Sequence, residues 1–216
     1  MHVIELTHVL TSDLTVYPGT PQPILQQVNS IERDWFRQTS LTLYSHHGTH
    51  MDAPAHVLPD GKTLDQFLPH CFFGTAAVVD CSELPANSML SLTEMLRLQP
   101  LVQKAEFVLF HTGWSRYWDS DQYNASYPIF SSEIAQWLAD QGKKGVGVDT
   151  TSIDRIDSLN NHRILLQKEI LVIENLMNLQ RTGSQLLQFY ALPLHYLASD
   201  GAPVRAIAIC GEENVR

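Results

Sequence analysis

The period of apolar and polar positions changes several times along this chain, and each change marks an element. The opening residues 1–6, "MHVIEL", read as a strand. "VYPGTPQP" (16–23) holds three prolines and a glycine and reads as a turn-rich loop. Residues 35–46 mix threonine, aromatic and apolar positions and suit a second strand. "TAAVVDCS" (75–82) and "AEFVLFHTG" (105–113) are short apolar runs bounded by breakers, the pattern of buried strands. "SLTEMLRL" (91–98) opens with Ser91 and has Glu94 three positions on, a capping box that starts a helix. In "SSEIAQWLADQGKKG" (131–145), Ile134, Trp137 and Leu138 share one helical face and Gly142 suits the stop. "VGVDTTSID" (146–154) reads as a strand leaving into a loop. "NHRILLQKE" (161–169) reads as a helix capped by Asn161, "ILVIEN" (170–175) as a strand, and "PVRAIAI" (203–209) as another. Strands outnumber helices and alternate with them only in part, which predicts an α/β domain with a mixed sheet.

Composition narrows this picture. At 216 residues, the chain has the length of one domain over 1–216 with a substantial core. It is 44% hydrophobic and only 17% charged, which excludes an intrinsically disordered chain. A formal net charge of −9 lacks the electrostatic footprint of a nucleic-acid binder. No apolar run is long enough to span a bilayer, and the N-terminus has no secretory pattern. Cys71, Cys81 and Cys210 form no Cys-x-x-Cys pair and read as reduced core residues of a cytoplasmic protein.

The densest chemistry lies in "HHGTHMDAPAH" (46–56), four histidines and an aspartate in eleven positions. A helical zinc motif would need Glu after the first His, and Gly48, Thr49 and Pro54 oppose a helix. In a strand, His46, His50, Asp52 and His56 share parity and one face. Extended chain separates positions four apart by about 13 Å, whereas two ligands of one ion lie within about 4 Å of each other. The backbone must therefore bend between His46 and His50, and Gly48 is the residue best able to supply the bend. His46, His50 and Asp52 then converge on one ion. A mixed nitrogen and oxygen donor set without thiolate leaves room for water and suits zinc, with manganese or iron also compatible. His47 has the opposite parity and faces away. His111 reads as a structural histidine, Asp149 and Asp154 as shapers of the loop after their strand with a supporting role near the metal as the alternative for either, and "GWSRY" around Ser115 is not a nucleophile elbow.

The same segment resembles the His-x-Gly-Thr-His-x-Asp-x-Pro-x-His signature of the cyclase family of metal-dependent hydrolases. The resemblance extends through "TGWSRYW" (112–118), 127–154, 161–179 and 192–209. It implies a swivelling β/β/α single domain, a homo-oligomer (dimer or tetramer) and a centre of one or two ions. It further implies that His46, His50 and Asp52 hold one ion, that Asp52 bridges to a second held by His162 and Glu174, and that His56 donates and accepts the proton. Where the family's formamidase branch has a tryptophan in an early loop, this chain has Tyr17, which can stack on a substrate ring.

The chemistry implied is hydrolysis of a C–N bond in a small amide. A divalent ion would acidify water toward pH 7. His56, ordinarily titrating near 6.5, could take that proton and deliver it to the leaving nitrogen. The resemblance points first to an aryl-formamide such as N-formylkynurenine, then to a cyclic amide of the isatin or lactam type. A metal-binding protein of the same fold without turnover is the rival reading, and it leaves His56 without a task.

Overall fold

The computed structural model describes residues 1–211; residues 212–216, the tail of the domain expected over 1–216, lie outside the described residues. The chain runs β1 (His2–Glu5), β2 (Ile24–Asn29), α1 (Ile31–Asp34), β3 (Gln38–Thr42), β4 (His50–Asp52), β5 (Phe73–Asp80), β6 (Met89–Leu90), α2 (Leu92–Leu98), β7 (Phe107–His111) and β8 (Ile129–Phe130). It continues through α3 (Ser132–Asp140), β9 (Gly145–Val148), α4 (Asn160–Leu166), β10 (Leu171–Glu174), β11 (Leu187–Pro193) and β12 (Gly201–Cys210). This is a single α/β domain built on a mixed sheet.

Eight strands form one sheet in the order β1-β12-β11-β5-β7-β9-β10-β4, and β4 also pairs with β12, so the sheet closes on itself. β5, β7, β9 and β10 run parallel, while β11, β12, β1 and β4 join antiparallel. The parallel strands are buried on both faces, which is why they read as continuous apolar runs. Alternate residues divide between two cores. Ala76, Val78, Phe107, Leu109, Leu171 and Ile173 point to the inside with Met51, Phe189 and Ala206. Ala77, Val79, Val108, Phe110, Val146 and Val172 point to the other face, where Met95 of α2, Ile134 and Leu138 of α3, and Leu165 of α4 cover them.

The α2 capping box forms as expected, with the Ser91 hydroxyl accepting from Glu94 N–H and the Glu94 carboxylate accepting from Ser91 N–H. α3 ends where Gly142 takes φ +62°. Two expectations need correction. The strand expected over 35–46 is confined to Gln38–Thr42, because Trp35 takes a left-handed φ of 67° as the cap of α1 and residues 45–49 form a turn. The helix expected over 161–169 spans Asn160–Leu166, and Asn161 lies inside it. The cap oxygens come instead from Asp154, which accepts from the N–H groups of Asn161 and His162 at 3.0 Å each.

β4 is the seam. Met51 faces the inner core, so His50 and Asp52 face the helical side. The register sets Glu174 of β10 opposite His50, and Gly201 of β12 opposite Asp52. Among the described residues, no helix is long and apolar enough to cross a membrane.

Candidate metal centre

The bend is where the spacing argument puts it. Gly48 has φ +66°, a left-handed conformation that an L side chain resists, and a Cβ there would lie 2.8 Å from Leu10. The turn brings the His46 and His50 rings to 5.0 Å between centroids, edge to face. It also turns the Gly48 carbonyl inward, where it accepts from Asn175 Nδ2 at 2.8 Å and from His50 Nδ1 at 2.9 Å. With Nδ1 so engaged, His50 presents Nε2 to Asp52 Oδ1 at 3.3 Å and to Glu174 Oε2 at 3.6 Å. Pro54 then opens a 3-10 turn over Pro54–His56. It swings His56 back over the cluster, 4.1 Å from the His46 ring and 6.0 Å from the His162 ring.

From the far side, His162 in the first turn of α4 reaches Glu174 Oε1 at 3.3 Å and Asp52 Oδ2 at 3.5 Å. Glu174 ends β10, and its Oε1 also accepts from Ile153 N–H at 2.9 Å. His46 lies against Asp52 Oδ1 at 2.7 Å through Nδ1 and against Asp200 at 3.1 Å through Nε2. The structure thus gathers His46, His50, Asp52, His56, His162 and Glu174 at one place. Two sets have donor atoms mutually within 4.8 Å, His50–Asp52–Glu174 and His46–Asp52–His56, and Asp52 belongs to both.

His46, His50, His56, His162 and Glu174 line a cleft of about 530 Å³, with Asp52 buried against them and Tyr17 on the rim. The Tyr17 hydroxyl donates to the carbonyl of Ile156 at 2.6 Å and ties the rim to the loop before α4. The remaining sequence candidates lie off the cleft. His47 accepts from Tyr44 N–H through Nδ1 and donates to the Pro21 carbonyl through Nε2. His111 pairs with Asp80 at 3.2 Å. Asp149 holds the backbone N–H groups of Thr112 and Gly113.

The family model described as "Putative cyclase" matches residues 4–155, well over half of the chain. The chain belongs to the cyclase family. Among curated proteins it is similar to the kynurenine formamidase of Bacillus cytotoxicus, 28% identical over 207 residues, covering 94% of this chain and 95% of that protein. The kynurenine formamidase of Bacillus mycoides is 30% identical over 214 residues with the same coverage. Among solved structures, isatin hydrolase A from Ralstonia solanacearum shares the fold at a TM-score of 0.85 and 22% identity, covering 97% of this chain and 92% of that one. Isatin hydrolase A from Labrenzia aggregata, bound to benzyl benzoate, does so at 0.84 and 21%, covering 98% and 94%.

The cyclase-family site fits a divalent cation on its own geometry. Asp52 Oδ2 is fully buried and has no hydrogen-bond partner among the described residues. With His162 Nε2 only at 3.5 Å this oxygen lacks a full hydrogen bond, which is costly for a buried carboxylate, and an ion between the two sets would satisfy it. The electrostatics agree. Burial works against a charged His46, but Asp200 and Asp52 outweigh it and push the ring up to about 10. Burial likewise opposes a charged His162, yet Asp154, Asp52 and Glu174 hold it well above the usual imidazole range. Burial would raise Asp52, but His50, His162 and His46 hold it far below the usual carboxylate range.

His56 goes the other way. Burial, the largest influence, lowers it and favours its neutral ring. Sequence reasoning missed Asp200 and Gly201, and it read Asp154 first as a loop residue with a supporting role near the metal as the alternative. No local pattern marks Asp200 or Gly201. They reach the site because β12 pairs with β4, across 149 positions between Gly201 and Asp52. A Cβ on Gly201 would stand 2.5 Å from His46 Cε1, so the absence of a side chain there seats the ring.

Proposed function

We propose that this cyclase-family protein is a metal-dependent hydrolase that cleaves a C–N bond of a small amide, cyclic amides of the isatin type included. The observation that carries the reading is Asp52, a buried carboxylate common to two His/carboxylate sets whose other members line a cleft. Donors of nitrogen and oxygen alone suit one or two zinc ions, with manganese as the alternative. His46, His50, Asp52, His162 and Glu174 would hold them. A divalent ion supplies Lewis acidity, polarising a carbonyl and acidifying water near neutral pH.

The chain's own residues supply the rest. Burial favours the neutral His56 ring, which stands above the cluster, so its free nitrogen can take a proton from water and release it to the departing nitrogen. The cleft volume of about 530 Å³ admits a one- or two-ring molecule. Tyr17 supplies an aromatic face at the rim. The curated relatives' names favour an aryl-formamide such as N-formylkynurenine, and the solved neighbours' names favour a cyclic amide. Tyrosine in place of the formamidase branch's tryptophan tips the balance toward the second.

The reading extends to a homo-oligomer in a reducing, cytoplasmic setting. β2 and β3 form a two-stranded sheet with Ile24, Val28 and Leu41 exposed, and Trp35 at its end is 93% exposed. A lone hairpin of this kind is marginal in water, and a second copy would cover it. Cys71, Cys81 and Cys210 are free thiols, as a reducing compartment requires.

The test is elemental analysis followed by assays on aryl-formamides, isatins and lactams, with and without chelator. Hydrolysis that survives complete metal removal rejects the reading. His56→Ala should retain its metal and lose about two to four orders of magnitude in turnover. Full turnover in that variant would remove His56 from the mechanism. Sedimentation velocity reads the subunit count.

A further inference from the structure

The loop between β9 and α4 carries a second carboxylate that the proposed chemistry does not touch. Asp154 is 3% exposed, and its two oxygens accept from three donors. Oδ1 takes Asn161 N–H at 3.0 Å. Oδ2 takes His162 N–H at 3.0 Å and the His162 ring at Nδ1, 2.8 Å away. The residue is itself held. Its carbonyl accepts from the Tyr127 hydroxyl at 2.6 Å, and its N–H donates to Ser152 Oγ at 3.2 Å. Asn161 Nδ2 ties the preceding Ile153 carbonyl to that of Phe130 at 3.2 and 3.1 Å. The neighbouring Ile153 N–H holds Glu174. One short turn, Ser152–Asp154, therefore fixes both side chains on this side of the cluster.

We propose that Asp154 is the positioning residue of the site: its carboxylate fixes the His162 ring in one orientation, with Nδ1–H turned away and Nε2 presented to Asp52 and Glu174. The inference rests on the metal-centre reading above. An imidazole that donates from one nitrogen to a carboxylate offers the other as an electron pair of defined direction and raised basicity. The geometry assigns the two oxygens separate tasks. Oδ1 caps α4, a structural duty. Oδ2 also serves the ring, and that duty matters only if Nε2 is a ligand.

Two substitutions separate the duties. In Asp154→Asn the amide oxygen can keep the Asn161 N–H, but the NH₂ in place of Oδ2 faces both the His162 N–H and His162 Nδ1, so one of the two cap bonds is lost and the opposite tautomer, with a proton on Nε2, is favoured. In Asp154→Ser a cap hydroxyl remains and the ring loses its acceptor. Zinc titration of the chelator-treated protein by calorimetry, with circular dichroism and thermal unfolding of the metal-free protein alongside, reads both duties. The expected result is an affinity about 10–100-fold weaker in both variants, while the metal-free Asp154→Asn protein keeps its helical signal and unfolds only as much earlier as the loss of one cap bond accounts for. Wild-type zinc affinity in Asp154→Asn overturns the assignment alone. Affinity losses that only follow the drop in unfolding temperature reduce Asp154 to a helix cap and overturn it equally. Wild-type protein that takes up no zinc overturns the metal-centre reading and this assignment with it.

Discussion

If the site takes up a metal as proposed, uptake should expel protons, and His46 should lose one. Despite burial, Asp52 at 2.7 Å and Asp200 at 3.1 Å favour the protonated His46 ring and push it up to about 10. An ion that takes the His46 lone pair displaces that proton. At pH 7 the ring lies three units below its midpoint, and at about 1.4 kcal/mol per unit the displacement costs about 4 kcal/mol of binding free energy. The cost falls as pH rises. From pH 6 to pH 8 the apparent dissociation constant should tighten about 100-fold through His46 alone, since each displaced proton contributes tenfold per unit. His162, also held above the imidazole range, adds a second proton with the same sign.

The metal-free protein should show the opposite trend. A histidine whose folded value lies above its unfolded 6.5 contributes stability that is complete below 6.5 and disappears as pH rises through about 10. The Asp52 and His46 shifts describe one contact and count once. The assay is calorimetric titration of zinc into chelator-treated protein at several pH values, in buffers of different ionisation enthalpy, which counts protons directly. Urea midpoints of the metal-free protein from pH 6.5 to 10 supply the second reading. Zinc affinity flat across pH 6–8, with no buffer-dependent heat, would refute the argument. It would mean that His46 is not a ligand or that its carboxylate contacts do not hold in solution.

Further substitutions test the geometry. Gly201→Ala places a methyl 2.5 Å from His46 Cε1, so the ring must move, and metal stoichiometry by elemental analysis should fall while the fold persists. Gly48→Ala forces an L residue to φ +66° and should lower urea stability by about 1–2 kcal/mol. Adding Leu10→Ala removes the 2.8 Å contact but not the backbone strain, so a complete recovery would show that the φ value is not the cause. Tyr17→Phe loses only the 2.6 Å bond to the Ile156 carbonyl and should leave KM nearly unchanged, whereas Tyr17→Ala removes the ring and should raise KM several-fold. Equal KM in both would take Tyr17 out of substrate binding.

The site divides into a part that local sequence could reveal and a part it could not, and the division has a physical origin. Ligands within one segment must satisfy backbone geometry over a few residues. The spacing of His46 and His50, set against the reach of an extended strand, therefore suffices to require a bend, and Gly48 supplies it with φ +66°. Parity alone separates His50 and Asp52 from Met51, which the inner core claims. The supporting groups obey no such local rule. Asp200 meets His46 across 154 positions, and Gly201 faces Asp52 only because β4, three residues long, closes the sheet by pairing with two strands at once.

The Asn161 cap failed for a related reason. Capping rules look for an oxygen on the residue entering the helix. Here the chain folds back through Ser152–Asp154, so a carboxylate several positions earlier meets the same N–H groups. That exchange has a consequence. A cap on Asn161 itself would have left His162 Nδ1 without the acceptor it has in Asp154. By moving the cap to Asp154, the fold lets one side chain both start the helix and aim the histidine that the helix carries.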